Sequence, residues 1–145
     1  MNRVKDILRT KGHRVWSIGP DATVYEALEL LAEKNVGAVL VMEDSRLVGI
    51  FSERDYARKV VLHGKASKTT SVREVMTERV MYVGPEQTAE ECMALMTDKR
   101  VRHLPVLEGD QVIGVVSIGD VVKGIISEQE FLIEQLERYI TGTYP

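Results

Sequence analysis

The chain has 145 residues, enough for one compact domain or for two very small units that share a core. Apolar residues make up 44%, which supports a packed interior, and 19 basic against 22 acidic residues leave a net charge of −3, which argues against a general nucleic-acid binder. The single cysteine, Cys92, excludes an internal disulfide framework and any multi-cysteine metal site. The N-terminus lacks an apolar signal core, and no apolar run approaches the roughly 20 residues of a membrane span, so the expected location is the cytoplasm.

An internal repeat organises the chain. Shifted by 65 residues, the stretch Val15–Tyr56 matches its second copy without a gap at 13 of 42 positions. Average residue usage gives only roughly 2 or 3 such matches by chance. A further echo, Val4-Lys5-Asp6-Ile7 against Val72-Arg73-Glu74-Val75, needs a shift of 68, so the first copy carries three extra residues between its leading helix and its first strand.

In chain order, each copy opens with a short helix and then a short strand, Val15–Ile18 or Val80–Val83, which Gly-Pro breaks. Thr23-Val-Tyr-Glu26 and Thr88-Ala-Glu-Glu91 are capping boxes that start a helix. That helix gathers Val24, Ala27, Leu28 and Leu31 on one face, and Ala89, Cys92, Met93 and Met96 in the second copy. Two apolar strands follow, Ala38–Met42 with Leu47–Phe51, then His103–Leu107 with Val112–Val116. Ser52 and Ser117 open a second helix. The final segment, Glu128–Thr141, is amphipathic and too apolar to stand free, so it is expected to pack on the body or on a second subunit. Strands and helices joined by short connections indicate an α/β (α+β) fold of two β-α-β-β-α units packed through their sheets about a pseudo-twofold, plus a C-terminal helix. The expected division is 1–64, 65–127 and a C-terminal tail, 128–145.

The strongest polar signal is the strand ending in Ser-x-x-Asp, at Gly49-Ile-Phe-Ser52-Glu-Arg-Asp55 and again at Gly114-Val-Val-Ser117-Ile-Gly-Asp120. One reading is a plain capping box. The other is a helix N-terminus that receives phosphate, with a carboxylate that accepts from two ribose hydroxyls. The two readings are compatible. Arg54, Arg58 and Lys59 cluster at the first such helix, and Arg100, Arg102 and His103 precede an inner strand. They are either a solvated charged face or a phosphate site. Trp16 and Tyr82, one step apart in equivalent strands, are either core or stacking partners for a base. The histidines lack metal spacing, and neither a phosphate-binding glycine loop nor a catalytic constellation is present, so no enzyme and no catalytic cofactor is expected. Cys92 aligns with Ala27 on the apolar face and reads as core.

The duplicated unit, with Gly-(apolar)-(apolar)-Ser-x-x-Asp closing each copy, resembles the cystathionine-β-synthase (CBS) domain, from about Val4 to Lys123. Two in tandem make the pair known as a Bateman module. The run Ser52-Glu-Arg-Asp-Tyr-Ala-Arg-Lys59, Arg100-Val-Arg-His-Leu-Pro-Val106 and Ser117-Ile-Gly-Asp120 is similar to that of short stand-alone pairs. The resemblance implies a regulatory sensor that binds AMP, NAD, ADP, ATP or S-adenosylmethionine in two clefts between the copies. It implies that Asp55 and Asp120 take ribose hydroxyls, that Ser52 and Ser117 line the ribose-phosphate region, and that Ile50 and Val115 meet adenine. It also implies that Val101, Arg102 and His103 complete the Asp55 cleft, and that Val36, Gly37 and Ala38 complete the Asp120 cleft, where Gly119 stands in place of Arg54. With Arg54, Arg58, Arg102 and His103 beside it, the Asp55 cleft is the expected tighter site, and AMP the expected ligand. A homodimer and an unidentified regulated protein are the implied partners, with neither nucleic acid nor membrane. The alternative is an interaction protein with vestigial clefts, for example a regulator of a redox partner.

Overall fold

A computed structural model of the chain describes residues 2–141. The first repeat supplies a three-stranded sheet in the order β1-β2-β3, built from β1 (Ser17–Ile18), β2 (Ala38–Glu43) and β3 (Arg46–Ser52). β1 runs parallel to β2, and β2 and β3 form an antiparallel hairpin turned by Asp44 and Ser45, both at positive φ. The second repeat supplies β4 (His103–Glu108) and β5 (Gln111–Ser117), paired in the same antiparallel register and with a register shift at the same place. The helices are α1 (Val4–Lys11), α2 (Val24–Lys34), α3 (Glu53–Asp55), α4 (Val72–Val75), α5 (Ala89–Lys99) and α6 (Ile118–Thr141). α3 continues as a π-helical stretch, Tyr56–Val61.

Both expected capping boxes form. The Glu26 amide donates to Thr23 Oγ1 at 3.1 Å, and the Glu91 amide to Thr88 Oγ1 at 3.1 Å. The expected strand Val80–Val83 shrinks to a single parallel bridge between Val83 and Val106. The cause is Pro105. In the first repeat the Leu40 amide donates to the Trp16 carbonyl at 3.0 Å, and Pro105 stands at the position equivalent to Leu40 with no N–H to give. The segment from Glu128 onward is not a separate helix. Nothing between Ile118 and Thr141 breaks the α-helical pattern, so it is the second half of the 24-residue α6.

Two apolar clusters form the interior, and the leading helices cross between them. Val4, Ile7 and Leu8 of α1 pack with Val83, Cys92, Leu104 and Val116 of the second repeat. Val72 and Val75 of α4 pack with Val24, Leu31, Val41 and Phe51 of the first. Equivalent backbone bonds tie each crossing. The Val4 amide donates to the Gln87 carbonyl at 2.8 Å and the Ala89 amide to the Asn2 carbonyl at 2.9 Å; the Val72 amide donates to Ala22 at 2.8 Å and the Val24 amide to Thr70 at 2.9 Å. Gly114 and Gly49 permit the close approach. A Cβ on Gly114 would lie 2.7 Å from Leu8 Cδ2, and one on Gly49 would lie 2.6 Å from Met76 Sδ.

Leu8 is fully buried. Leu8→Ala is expected to destabilise the protein by about 2–5 kcal/mol in urea unfolding. Hydrogen exchange should show protection lost more from β4 and β5 than from β2 and β3, although Leu8 precedes all of them in sequence.

Candidate functional site

The two Ser-x-x-Asp turns are built alike. The Ser52 amide donates to Asp55 Oδ2 at 2.9 Å and the Asp55 amide to Ser52 Oγ at 3.2 Å. The Ser117 amide donates to Asp120 Oδ2 at 2.8 Å and the Asp120 amide to Ser117 Oγ at 3.2 Å. The first helical amide is engaged too, Glu53 with the Gly37 carbonyl and Ile118 with the Arg102 carbonyl. Both turns are therefore capping boxes.

What faces each carboxylate differs. Asp55 is 8% exposed. Its Oδ1 accepts from Thr77 Oγ1 at 3.0 Å and faces Lys59 Nζ at 3.2 Å, while Oδ2 carries the Ser52 amide and hydroxyl. Thr77 is held in place by a two-way backbone pair with Ile50, at 3.0 and 2.8 Å. Every acceptor of Asp55 thus has an internal donor. Asp120 has a side chain 22% exposed and borders a cleft of about 490 Å3. Its Oδ2 meets Lys11 Nζ at 2.5 Å, and the same ammonium donates to the Val115 carbonyl at 2.7 Å.

The cleft brings together Val36, Gly37, Ala38, Val115, Ser117 and Asp120, which the resemblance groups, and adds Trp16, which the sequence left unassigned to either cleft. Ile50 and His103, expected on the opposite side, border it as well. His103 comes across because its equivalent in the other repeat is the small Ala38 and its neighbour is Gly37. A Cβ on Gly37 would sit 3.2 Å from His103 Cε1. Arg54, Arg58 and Arg102 are exposed and do not border the cleft. Arg54 Nη1 instead donates to the Arg100 carbonyl at 2.8 Å. Val101 packs against the second core, Tyr82 is mostly exposed away from the cleft, and Gly119 is not part of its wall. Trp16 sits both at the core and at the cleft. It packs against the first core and forms part of the cleft wall, with Lys34 Nζ 4.5 Å from its ring centroid.

Sequence reasoning missed the cations of this cleft, Lys11, Arg14 and Lys34. One signal was available. The three extra residues of the first copy lie just after α1 and carry Arg14 into the cleft, directly beyond Lys11.

Burial works against ionisation of Asp120, but the Lys11 hydrogen bond, the Ser117 amide and the Lys11 charge together hold its carboxyl below the usual range. Burial, with Lys11 adding, pushes the His103 imidazole down, against the pull of Asp120 and Glu53. Burial raises the Cys92 thiol to about 11, as befits a core residue. The signs for His103 and Asp120 agree. A histidine that resists protonation when folded contributes fully above the unfolded value of 6.5 and loses that contribution as the pH falls below it. Asp120 contributes above the unfolded value of 3.8 and loses that contribution as the pH falls through its lower folded value. Urea unfolding is expected to show stability falling between about pH 7 and pH 5, with a shallower fall in His103→Gln.

The family model for the CBS domain matches residues 4–62 and 72–132. The CBS domain-containing protein CBSX3, mitochondrial, of Arabidopsis thaliana is 40% identical over 97% of this chain and 73% of its own length. The crystal structure of a putative signal-transduction protein with CBS domains from Burkholderia ambifaria MC40-6 superposes with a TM-score of 0.85 at 49% identity, covering 88% of this chain and 96% of that one. The CBS domain pair of MJ0100, solved with 5′-methylthioadenosine and S-adenosyl-L-methionine, has the same fold at a TM-score of 0.77 and 21% identity, covering 88% of this chain and 98% of that one. CBS domains are regulatory modules. No helix among the described residues is long and apolar enough to cross a membrane. With one matched unit in each half and the leading helices exchanged between two equivalent cores, the chain belongs to the CBS-domain family as a tandem pair.

Proposed function

We propose that the cleft at Asp120 binds an adenine nucleotide with one or two phosphates, AMP first and NAD second, with ADP and ATP behind them, and that occupancy is relayed to a regulated protein. The observation that carries this reading is the convergence of three chemistries in one cleft. Leu40, Ile50, Val115 and Trp16 offer an apolar wall for a base, Asp120 and Ser117 offer acceptors and a hydroxyl for a sugar, and Lys11, Arg14 and Lys34 offer positive charge for phosphate. S-adenosylmethionine, present in the MJ0100 structure, is the less favoured ligand here, because its sulfonium would face three cations. The reading reverses the sequence expectation that Asp55 marks the tighter cleft, since the acceptors of Asp55 already have donors within the fold.

A ligand that binds only the folded protein stabilises it by about 2.7 kcal/mol at 100 times its dissociation constant. AMP is therefore expected to raise the melting temperature of the wild-type protein. In calorimetry Asp120→Ala should weaken AMP binding by about tenfold or more, the order of effect of losing a charged hydrogen-bond partner. Unchanged affinity in Asp120→Ala would sink the assignment. No shift with any adenosine ligand would favour the rival, an interaction protein of the redox-regulator kind with vestigial clefts.

We propose a homodimer formed through α6. Phe131, Leu132, Ile133, Leu136 and Ile140 are each more than half exposed, and Ile126, Ile133 and Ile140 recur every seven residues with Leu136 between them, the spacing of a helix–helix seam. Light scattering should give a dimer for the wild type and a monomer for Ile133→Glu. A monomeric wild type at micromolar concentration contradicts the reading. The cytoplasm is the proposed location, in keeping with one buried, unpaired cysteine.

A further inference from the structure

The two repeats present their equivalent aspartates to different neighbours, and the difference decides which carboxylate an outside group can reach. Asp55 faces both Lys59 and Thr77, and Thr77, a short side chain on a segment fixed by its own backbone bonds, keeps Oδ1 occupied even when the lysine moves. Asp120 faces Lys11 alone among the described residues, a long side chain whose backbone is anchored and whose ammonium reaches Asp120 across several rotatable bonds. The fixing is explicit. Leu8 is seated against Gly114, and His13 Nδ1 lies 2.8 Å from the Ile113 carbonyl, so the chain on both sides of Lys11 is anchored along β5. From that anchor Lys11 Nζ spans the Val115 carbonyl and Asp120 Oδ2. The lysine side chain is 33% exposed and the aspartate 22%, so water competes for both partners and the pair is easily exchanged. Asp120 Oδ1 has no protein partner among the described residues.

We infer that Lys11 is a movable counter-charge, which holds the Asp120 carboxylate in the free protein and transfers to the anionic group of an arriving nucleoside, releasing that carboxylate for the sugar hydroxyls. The inference rests on the reading of the Asp120 cleft as a nucleotide site and adds the basis of its selectivity. A phosphorylated nucleoside gives Lys11 a new anion in exchange for the old one, and a charge-assisted bond to phosphate replaces one to carboxylate. A neutral nucleoside gives nothing in exchange. It must compete with the ammonium for Asp120, or leave the ammonium with only the Val115 carbonyl. The same residue thus favours nucleotides and disfavours bare nucleosides. Lys34 does not share this role, since its ammonium lies over the Trp16 ring and beside Glu33.

The test compares AMP with adenosine on the wild-type protein, Lys11→Met and Lys11→Arg by calorimetry. It is accompanied by NMR titration of the Asp120 carboxyl without ligand. Lys11→Met should weaken AMP by about tenfold or more while leaving adenosine unchanged or tighter, so that the preference between them collapses. Lys11→Arg should keep the preference. In the ligand-free protein Lys11→Met should raise the titration midpoint of Asp120. An AMP-to-adenosine preference equal in wild type and Lys11→Met overturns the inference, as does an Asp120 midpoint that does not move. If the wild type binds neither ligand, the nucleotide reading falls and the selectivity falls with it. That outcome is distinct from binding without selection, which overturns the counter-charge alone.

Discussion

The constraint on which the structure depends is the crossing of the two leading helices. Neither repeat closes its own core. α1 completes the cluster around Leu104 and Val116, and α4 completes the cluster around Val41 and Phe51. A unit of about 60 residues buries too little apolar surface to be secure alone. Exchange of one helix in each direction makes each core the condition of the other. It also fixes the distance between the repeats, because the chain that leaves each helix must reach its own first strand. The cleft lies along that boundary, with residues from both repeats in its walls.

Within this near-symmetric frame, the surroundings of the two aspartates differ where the symmetry fails. The Ser-x-x-Asp turns superimpose bond for bond, and the hairpins share a register shift. The departures are few and have plain causes. α4 has four residues and hands over to an extended segment whose Thr77 pairs with β3, so a hydroxyl on a fixed backbone reaches Asp55. α1 has eight residues and ends over β5 with Lys11 and His13, so side chains rather than backbone cover the edge carbonyls there. One aspartate becomes part of the interior, while the other stays at a charged, open boundary.

Much of the fold was legible because it is written twice. The repeat, the capping boxes at Thr23 and Thr88, the hairpins and the helix openings at Ser52 and Ser117 follow from local chemistry that the second copy corroborates. The loss of the strand at Val80–Val83 was also legible in principle, since Pro105 visibly lacks the donor that Leu40 has. The placement of the charges was not. Arg54 and Arg58 lie near Asp55 in sequence but point to solvent or to the Arg100 carbonyl, whereas Lys11 is more than a hundred residues from Asp120 and meets it only because α1 crosses to the other core. Proximity along the chain identified charges on the same helix. The packing exchange, which no local pattern records, determined which charges share a cavity.

The unbroken helix after Ser117 has a mechanical meaning. Asp120 sits in its first turn, and the exposed Phe131, Leu132, Ile133, Leu136 and Ile140 occupy its far half. At 1.5 Å per residue the 24-residue rod is about 36 Å long, so a tilt of about 5° at its root moves its tip by about 3 Å. With no proline along its length to absorb the motion, a small adjustment of the carboxylate end is carried to the exposed apolar side chains of the far half.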